Sequence, residues 1–364
     1  MAARIGNLDW LVELPGQFGL HAAIGAAEDA LARLDERLRG NPFRDGWIAR
    51  ANFGEACANL YLAGELVHLE DLMLHDAETD VRGAPHELVR AHAVLHERRR
   101  IAAAAPGDWL ARRLDAPRRQ ESPDEPESSP CPNVVDDDPL AAEFAVIDAA
   151  IASSSRLLRD GVASSRSPAS APIPGRELVY SEDWDEGAAL ADWRAICSQT
   201  DELAPVLAAA VAYETWCEIQ PLQREAWMGS LLVADLLRAR GKAQAHLPSL
   251  DVGLIAIPRA RRRHKARATR ILAVLEAISA SSRAGLAELD RLSTEANLLR
   301  RRVGRRRGNS KLPALAEMVL SRPLVTGALV AGELRVSKRA ALGMISTLGL
   351  RELTGRKHFR AWSI

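Results

Sequence analysis

The chain has 364 residues, 47% apolar, 26% charged and only 4% aromatic, which is enough for two or three domains with real cores. Nowhere does it approach the roughly 20 uncharged residues a membrane helix needs, and "MAARIGNLDWLVELPG" interleaves Arg4, Asp9 and Glu13 with apolar residues, unlike a signal peptide; a cytoplasmic protein is expected. The net charge of zero is unevenly spread: from Ile255 to Ile364 there are 24 Lys and Arg against 7 Asp and Glu, so an acidic body carries a strongly basic C-terminal third. That asymmetry points to a polyanionic partner, or to two halves that neutralise one another internally.

Ala, Leu and Arg dominate and favour helices. Residues 18–39 carry apolar positions at helical spacing, and Gly40-Asn41-Pro42 stops the run. A second helical stretch is expected from near Trp47 through "HLEDLMLHDAETD", and a third over 85–104 with Pro85 at its start. Together these make an all-α N-terminal region, 1–114. Residues 115–178 form a Pro- and Ser-rich linker with one helix at about 139–159. Three consecutive helices are expected over 183–242, the middle one, "ELAPVLAAAVAYETWCEI", buried on most sides. They belong to a core of 179–258. Residues 259–311 read as a basic helical connector with Arg runs at each end. Such runs are commonly solvated helix faces. The four cysteines, Cys57, Cys131, Cys197 and Cys217, have no metal-ligand spacing and are expected reduced and mostly buried.

The strongest signal is in residues 312–364. "LPALAEMVLSRP" is a helix ended by Pro323, "VTGALVAGELRV" a second and "SKRAALGMISTLGL" a third. Ala331 is small where helices cross, Val336 plugs the turn and Ser337 is an N-cap. Ala341, Met344, Ile345 and Leu348 face inward. Ser337, Lys338, Arg339 and Leu342 are left at the outer, N-terminal end of the third helix. Strands are expected only in the last fifteen residues, as a hairpin around "TGRK" that carries Arg356, Lys357 and Arg360 towards phosphates or the minor groove. The order of parts resembles a winged helix-turn-helix, whose second helix enters the major groove. A wing-like subdomain used only for protein contacts is the alternative.

"TWCEIQPLQREAWMGSLLVADLLRARG" (215–241) is a helix, a polar turn and a helix. It resembles the core of Fic-domain proteins, which transfer AMP or a related group to a hydroxyl using a His-Pro-Phe-x-Asp/Glu-Gly-Asn-Gly-Arg loop. The resemblance places the general base at Gln220, keeps Pro221, puts Leu222 at the Phe position and sets Arg224 near the metal-holding acid. Glu225 to Trp227 stand where glycines would wrap phosphate. A neutral amide cannot exchange a proton near pH 7, and an Arg cannot hold Mg²⁺. "LYLAGELVHLEDL" resembles the segment before many Fic cores, with Ala63 at the inhibitory Glu position. "NPFRDGW" (41–47) matches the loop's residue types but sits too early, and reads as a helix-stopping turn. Overall the chain resembles an uncharacterised bacterial family, common on plasmids of rhizobia and relatives, that joins a domain of unknown function to a C-terminal helix-turn-helix.

Glu65, His68, Asp71, His75 and Asp76, with His92 and His96, have ligand-like spacings. A polar helix face is the plainer reading, and no metal or other cofactor is expected. The expectation is a mainly α protein: a degenerate, catalytically inactive Fic-like bundle followed by a winged helix that binds double-stranded DNA, as a homodimer or with another protein partner. A divergent AMP transferase, or an antitoxin-like partner of a true Fic enzyme, are the alternatives.

Overall fold

The computed structural model describes residues 19–77, 83–111, 184–304, 310–354 and 360–364. The linker helix expected at 139–159, Cys131, Arg305 to Arg307, Arg356, Lys357 and Phe359 lie outside these residues.

The body begins with α1 (Leu20–Leu38), α2 (Arg44–Ala63), α3 (Leu69–Asp76), α4 (His86–Ala103) and the short α5 (Asp108–Ala111). The expected continuous helix through Trp47 and Asp76 is two helices. Gly64, at φ 90°, ends α2, because a left-handed cap is open to glycine at no steric cost. Glu65 to His68 cross to α3 outside any helix, so Glu65 and His68 do not share a helical face with Asp71 and His75. The turn at Asn41 does stop a helix: Asn41 Oδ1 accepts the Phe43 N–H at 2.9 Å, and α2 follows at once.

Then come α6 (Glu186–Gln199), α7 (Pro205–Ile219), α8 (Met228–Ala239), α9 (Leu250–Ile255) and α10 (Arg259–Arg262). Pro205 occupies the first turn of α7, where its missing N–H costs nothing. Every residue from Val206 to Ala212 is buried, as the Ala-rich run implied. Small side chains let α7 pack against α6, α8 and the long α11 (Arg267–Val303) together.

Helix α11 contributes to three cores in succession. Ile271, Val274, Leu275 and Ile278 belong to the main body core. Leu289 and Leu292 pack with Leu34, Leu38 and Trp47. Leu299 and Val303 enter the C-terminal core. Its 37 residues span about 55 Å at 1.5 Å per residue, so a single rod joins the body to the terminal module.

That module holds α12 (Leu312–Ser321), β1 (Val325–Thr326), α13 (Gly327–Leu334), α14 (Lys338–Leu348), β2 (Arg351–Glu352) and β3 (Ala361–Ser363). The sheet order is β1-β3-β2, antiparallel throughout, with Val325 opposite Trp362 and Arg351 opposite Ser363. Strand β1 corrects two expectations. Strands are not confined to the last fifteen residues, and the helix expected over 325–336 starts at Gly327, where Thr326 caps it by accepting the Leu329 N–H. Val325 and Thr326 are β-branched and pair with β3, so pairing prevails over helical continuation at that end.

Buried polar groups lock the body helices together. Arg98, 1% exposed, donates to Asn52 Oδ1, to the carbonyls of Leu247 and Pro248 and to Ser249 Oγ. Glu55 accepts the N–H groups of Asp251 and Val252 at the start of α9, while Asp251 accepts from Asn59 and Ser230. Burial, with the Asp251 carboxylate facing it, pushes the Glu55 carboxyl well above the usual carboxylate range.

Candidate nucleic-acid interface

Helix α14 is presented as its sequence implies. Ala341, Ile345 and Leu348 are buried and Met344 packs against them from the edge. Ser337 caps the helix, its Oγ accepting the Ala340 N–H at 3.2 Å. Ser337, Lys338, Arg339, Ala340, Leu342 and Gly343 are exposed, so the N-terminal turn faces solvent with two cations. Leu342 is 40% exposed and leans on Gly327, its Cδ2 lying 3.4 Å from where a Cβ would stand. The turn before α14 is made by Arg335 at φ 51°, with Val336 packed into the module core.

Arg360, the one cation of the expected wing among the described residues, does not form a set with Lys338 and Arg339. Arg360 Nε donates to Glu352 at 2.8 Å, and its guanidinium lies 5.1 Å over the Trp362 ring. The Glu352 carboxylate beside it holds the Arg360 guanidinium above its ordinary value. Arg360 is thus engaged within the sheet, a pairing that Glu352 across the hairpin could have signalled in the sequence. Trp362, 5% exposed, is the main apolar residue of β3 and was not among the expected core positions.

The module is also fixed to the body, which sequence reasoning missed. Arg50 of α2 donates to the carbonyls of Val319, Leu320 and Arg322 at 2.9 to 3.0 Å, satisfying the C-terminal end of α12. Gly46, one turn earlier, lets that end approach: a Cβ there would stand 1.9 Å from the Leu320 carbonyl oxygen. Arg302 of α11 donates to the Leu348 carbonyl at 2.6 Å, closing the C-terminus of α14. An Arg four residues after a Gly in an otherwise Ala-rich helix was the available signal, and a weak one.

The Arg run at 261–263 is partly neutralised. Arg261 pairs with Glu276 through both terminal nitrogens, and Arg262 donates to the Ile257 carbonyl. Arg267 and Arg270 bind Glu218 and Glu214 of α7. Much of the basic charge here therefore meets acids of the body, while Arg263, Lys265, Arg300 and Arg301 stay on the surface.

The turn after α7 is closed rather than open. Gln220, at φ 49°, caps α7 and is exposed, while Pro221 and Leu222 are buried. Trp184 Nε1 donates to the Pro221 carbonyl and Trp216 Nε1 to the Ala226 carbonyl, at 3.0 and 2.9 Å. At the start of α8 the N–H groups of Met228 and Gly229 bond to the Glu225 and Ala226 carbonyls. The Trp216 ring lies so close to Gly229 that a Cβ would come within 2.3 Å of it. Arg224 is exposed and Glu225 half-buried on the rim.

The histidine and carboxylate positions of α3 and α4 go into other contacts. Asp76 is held by both Nη atoms of Arg99 at 2.6 and 2.9 Å and lies 3.2 Å from His92 Nε2. Glu65 pairs with Arg90, and the His75 ring meets His92 edge-on. Among the described residues no group of three or more His, Cys, Asp or Glu is arranged to hold a metal ion. Of the cysteines, Cys197 is buried and Cys57 half-buried, but Cys217 is exposed, against expectation: it sits in the last turn of α7, where the helix leaves the core. No helix among the described residues is long and apolar enough to cross a membrane.

Residues 312–364 match the family model of a helix-turn-helix DNA-binding domain, over the module whose third helix offers Lys338 and Arg339 to solvent. Residues 178–304 match a family described as a protein of unknown function, DUF1612. An uncharacterized protein of Sinorhizobium fredii, y4cF, is 40% identical over 355 residues, which cover 91% of this chain and 93% of the relative. The chain belongs to the y4cF family. The expected pairing of a domain of unknown function with a C-terminal helix-turn-helix therefore holds. The y4cF relative aligns along nearly the whole length, so the body is as much a part of the family as the DNA-binding domain.

Proposed function

We propose that the protein is a transcriptional regulator that binds double-stranded DNA through α14 and the wing. Its body serves dimerisation or partner binding and carries no transferase chemistry. The observation that carries this reading is the solvent-facing first turn of α14. Among the described residues no carboxylate pairs with Lys338 or Arg339, whereas Arg302, Arg322, Arg351 and Arg360 are all engaged within the protein. A capped helix start with uncommitted cations suits phosphate and base-edge contacts in the major groove. Ser337, Lys338, Arg339 and Leu342 would meet the groove, and Arg356 and Lys357 the flanking backbone. Arg360 would contribute only by exchanging Glu352 for phosphate. Pairing of two copies supplies the two half-sites that such modules use.

The inactive, Fic-like reading of the body is supported by residue chemistry. Gln220 stands where a proton acceptor is required and Arg224 where a metal-binding acid is required. The N–H groups that would cradle phosphate are bonded within the turn, at Met228 and Gly229.

Gel retardation with fragmented genomic DNA tests the first part. Retardation at 50 mM salt that weakens steeply by about 200 mM is expected. Folded protein that fails to retard DNA at low salt removes the proposal. Incubation with labelled ATP and Mg²⁺ tests the second part: label incorporated by the wild type and lost in Gln220→Ala or Glu225→Ala would make the body a transferase.

A further inference from the structure

A cavity of about 470 Å³ lies where the body meets the winged helix. Leu34, Trp47, Met73 and Leu237 line it from the body, and Pro323 and Leu353 from the winged helix. Its size is that of sites that enclose small organic molecules.

Each cation on its wall has a partner within the protein. Arg50 and Arg291 both face Glu288, at 4.0 and 2.7 Å, and Arg351 faces Glu70 at 3.4 Å. Arg50 also spends its guanidinium on the Val319, Leu320 and Arg322 carbonyls, so the three arginines leave no uncommitted cation for an anion, and the wall favours a neutral occupant.

One polar group is unanswered. His246 lines the cavity with its side chain only 1% exposed. Its Nδ1 lies 3.0 Å from Asp35 Oδ1, which also accepts the Ala245 N–H at 2.7 Å. A carboxylate only accepts, so Nδ1 carries the proton. Burial holds the imidazole below its ordinary pKa, so the ring is neutral near pH 7. Nε2 is then an acceptor, and among the described residues no group hydrogen-bonds to it. A buried acceptor without a donor, on a residue that lines a mainly apolar cavity, defines what would complete it.

We propose that this cavity binds a small, neutral, mainly apolar molecule bearing an O–H or N–H donor that seats on His246 Nε2, and that its occupancy changes affinity for DNA. The coupling follows from position: the molecule touches the body and the winged helix together, so it binds one arrangement of the two better than another, and DNA bound to either arrangement must feel the same difference. The coupling rests on the DNA-binding reading above; the binding site does not.

The test uses full-length protein and two probes of nearly one shape. 2-Naphthol carries an O–H donor and 2-methoxynaphthalene carries none. Fluorescence titration is expected to show one saturable site per chain, at least fivefold tighter for 2-naphthol, and lost in Ser281→Trp, which fills the cavity from α11. His246→Phe is expected to bring the two probes to equal affinity. The wild-type comparison needs no variant to fold: absence of saturation, or equal binding of both probes, overturns the site, as does binding that survives Ser281→Trp. With 2-naphthol at saturation, a change of at least threefold in DNA affinity by gel retardation is expected, and an unchanged affinity overturns the coupling. If DNA is not retarded with or without probe, the DNA-binding reading fails while the probe titration still decides the site.

Discussion

Gln220 and Arg335 are the two non-glycine residues with positive φ among the described residues, at 49° and 51°. Each caps one helix and swings the chain into the next, α7 to α8 and α13 to α14. Beyond that shared bend the two turns diverge. After Gln220 the following helix starts under the Trp216 ring, with its first N–H groups bonded to carbonyls of the turn. After Arg335 the following helix starts at a serine cap in solvent, with Lys338 and Arg339 exposed. A helix start is a ready anion site only while its donors and its field remain accessible. One sequence thus holds a spent helix start and an available one, and neighbouring side chains, not the backbone bend, decide which is which.

The sharpest break in this comparison is Trp216→Ala. Trp216 is 2% exposed, packs edge-on against Trp193 at 5.1 Å between centroids and covers Gly229. Its removal is expected to cost about 3–5 kcal/mol in urea or thermal unfolding. DNA affinity of the folded fraction should not change, because the lost contacts belong to the other turn. A loss below about 1 kcal/mol would mean that the first turn is not closed by this ring.

The second break is Lys338→Ala with Arg339→Ala. Both side chains are exposed, so unfolding should be unaffected. DNA affinity at moderate salt should fall about tenfold, ~1.4 kcal/mol, and the slope of log affinity against log salt should flatten by about 1.8 if each contacts one phosphate. An unchanged slope would remove these two residues from the interface.

How much of this contrast was legible follows from the range of the interactions. Ser337, the inward Ala341, Ile345 and Leu348 and the outward Lys338 and Arg339 lie within twelve residues, and their roles follow from helical periodicity. The helices at 186–199, 205–219 and 228–239 were legible for the same reason. The pairing of β1 with β3 joins residues 325 and 362, and a two-residue strand has no periodicity to read. Arg50 capping α12 joins residues some 270 apart, and His246 meets Asp35 across 211. Nothing in the local pattern of "RANFGEACANL" or "GKAQAHLPSL" encodes those partners. The cavity between the body and the C-terminal module draws its lining from residues as distant as Leu31 and Ile364, so sequence reading could find the helix-turn-helix but not what it is fastened to.

Ser337→Ala separates the cap from the charges. The α14 cap is a side-chain hydrogen bond, whereas Trp227 at the start of α8 makes none. Loss of the serine should cost about 1 kcal/mol of stability, read as a drop in the urea midpoint at unchanged slope. A matching loss of DNA affinity beyond twofold would show that Ser337 also touches phosphate, since fraying of one cap alone leaves Lys338 and Arg339 in place.

The smallest effects are expected from glycine at the shared bend itself. A left-handed conformation costs a non-glycine residue about 1 kcal/mol, and glycine returns part of that as unfolded-state entropy. Gln220→Gly and Arg335→Gly should therefore each stabilise the protein by only about 0.5 kcal/mol. Their effects on DNA should separate. Arg335 is exposed one turn ahead of Lys338, so its loss should weaken retardation by about twofold through a lost cation, while Gln220→Gly should leave retardation unchanged. If Gln220→Gly instead destabilises by more than 1 kcal/mol, its side chain is held by something the bend alone does not require, and the first turn would have to be reconsidered as a site rather than a closed connection.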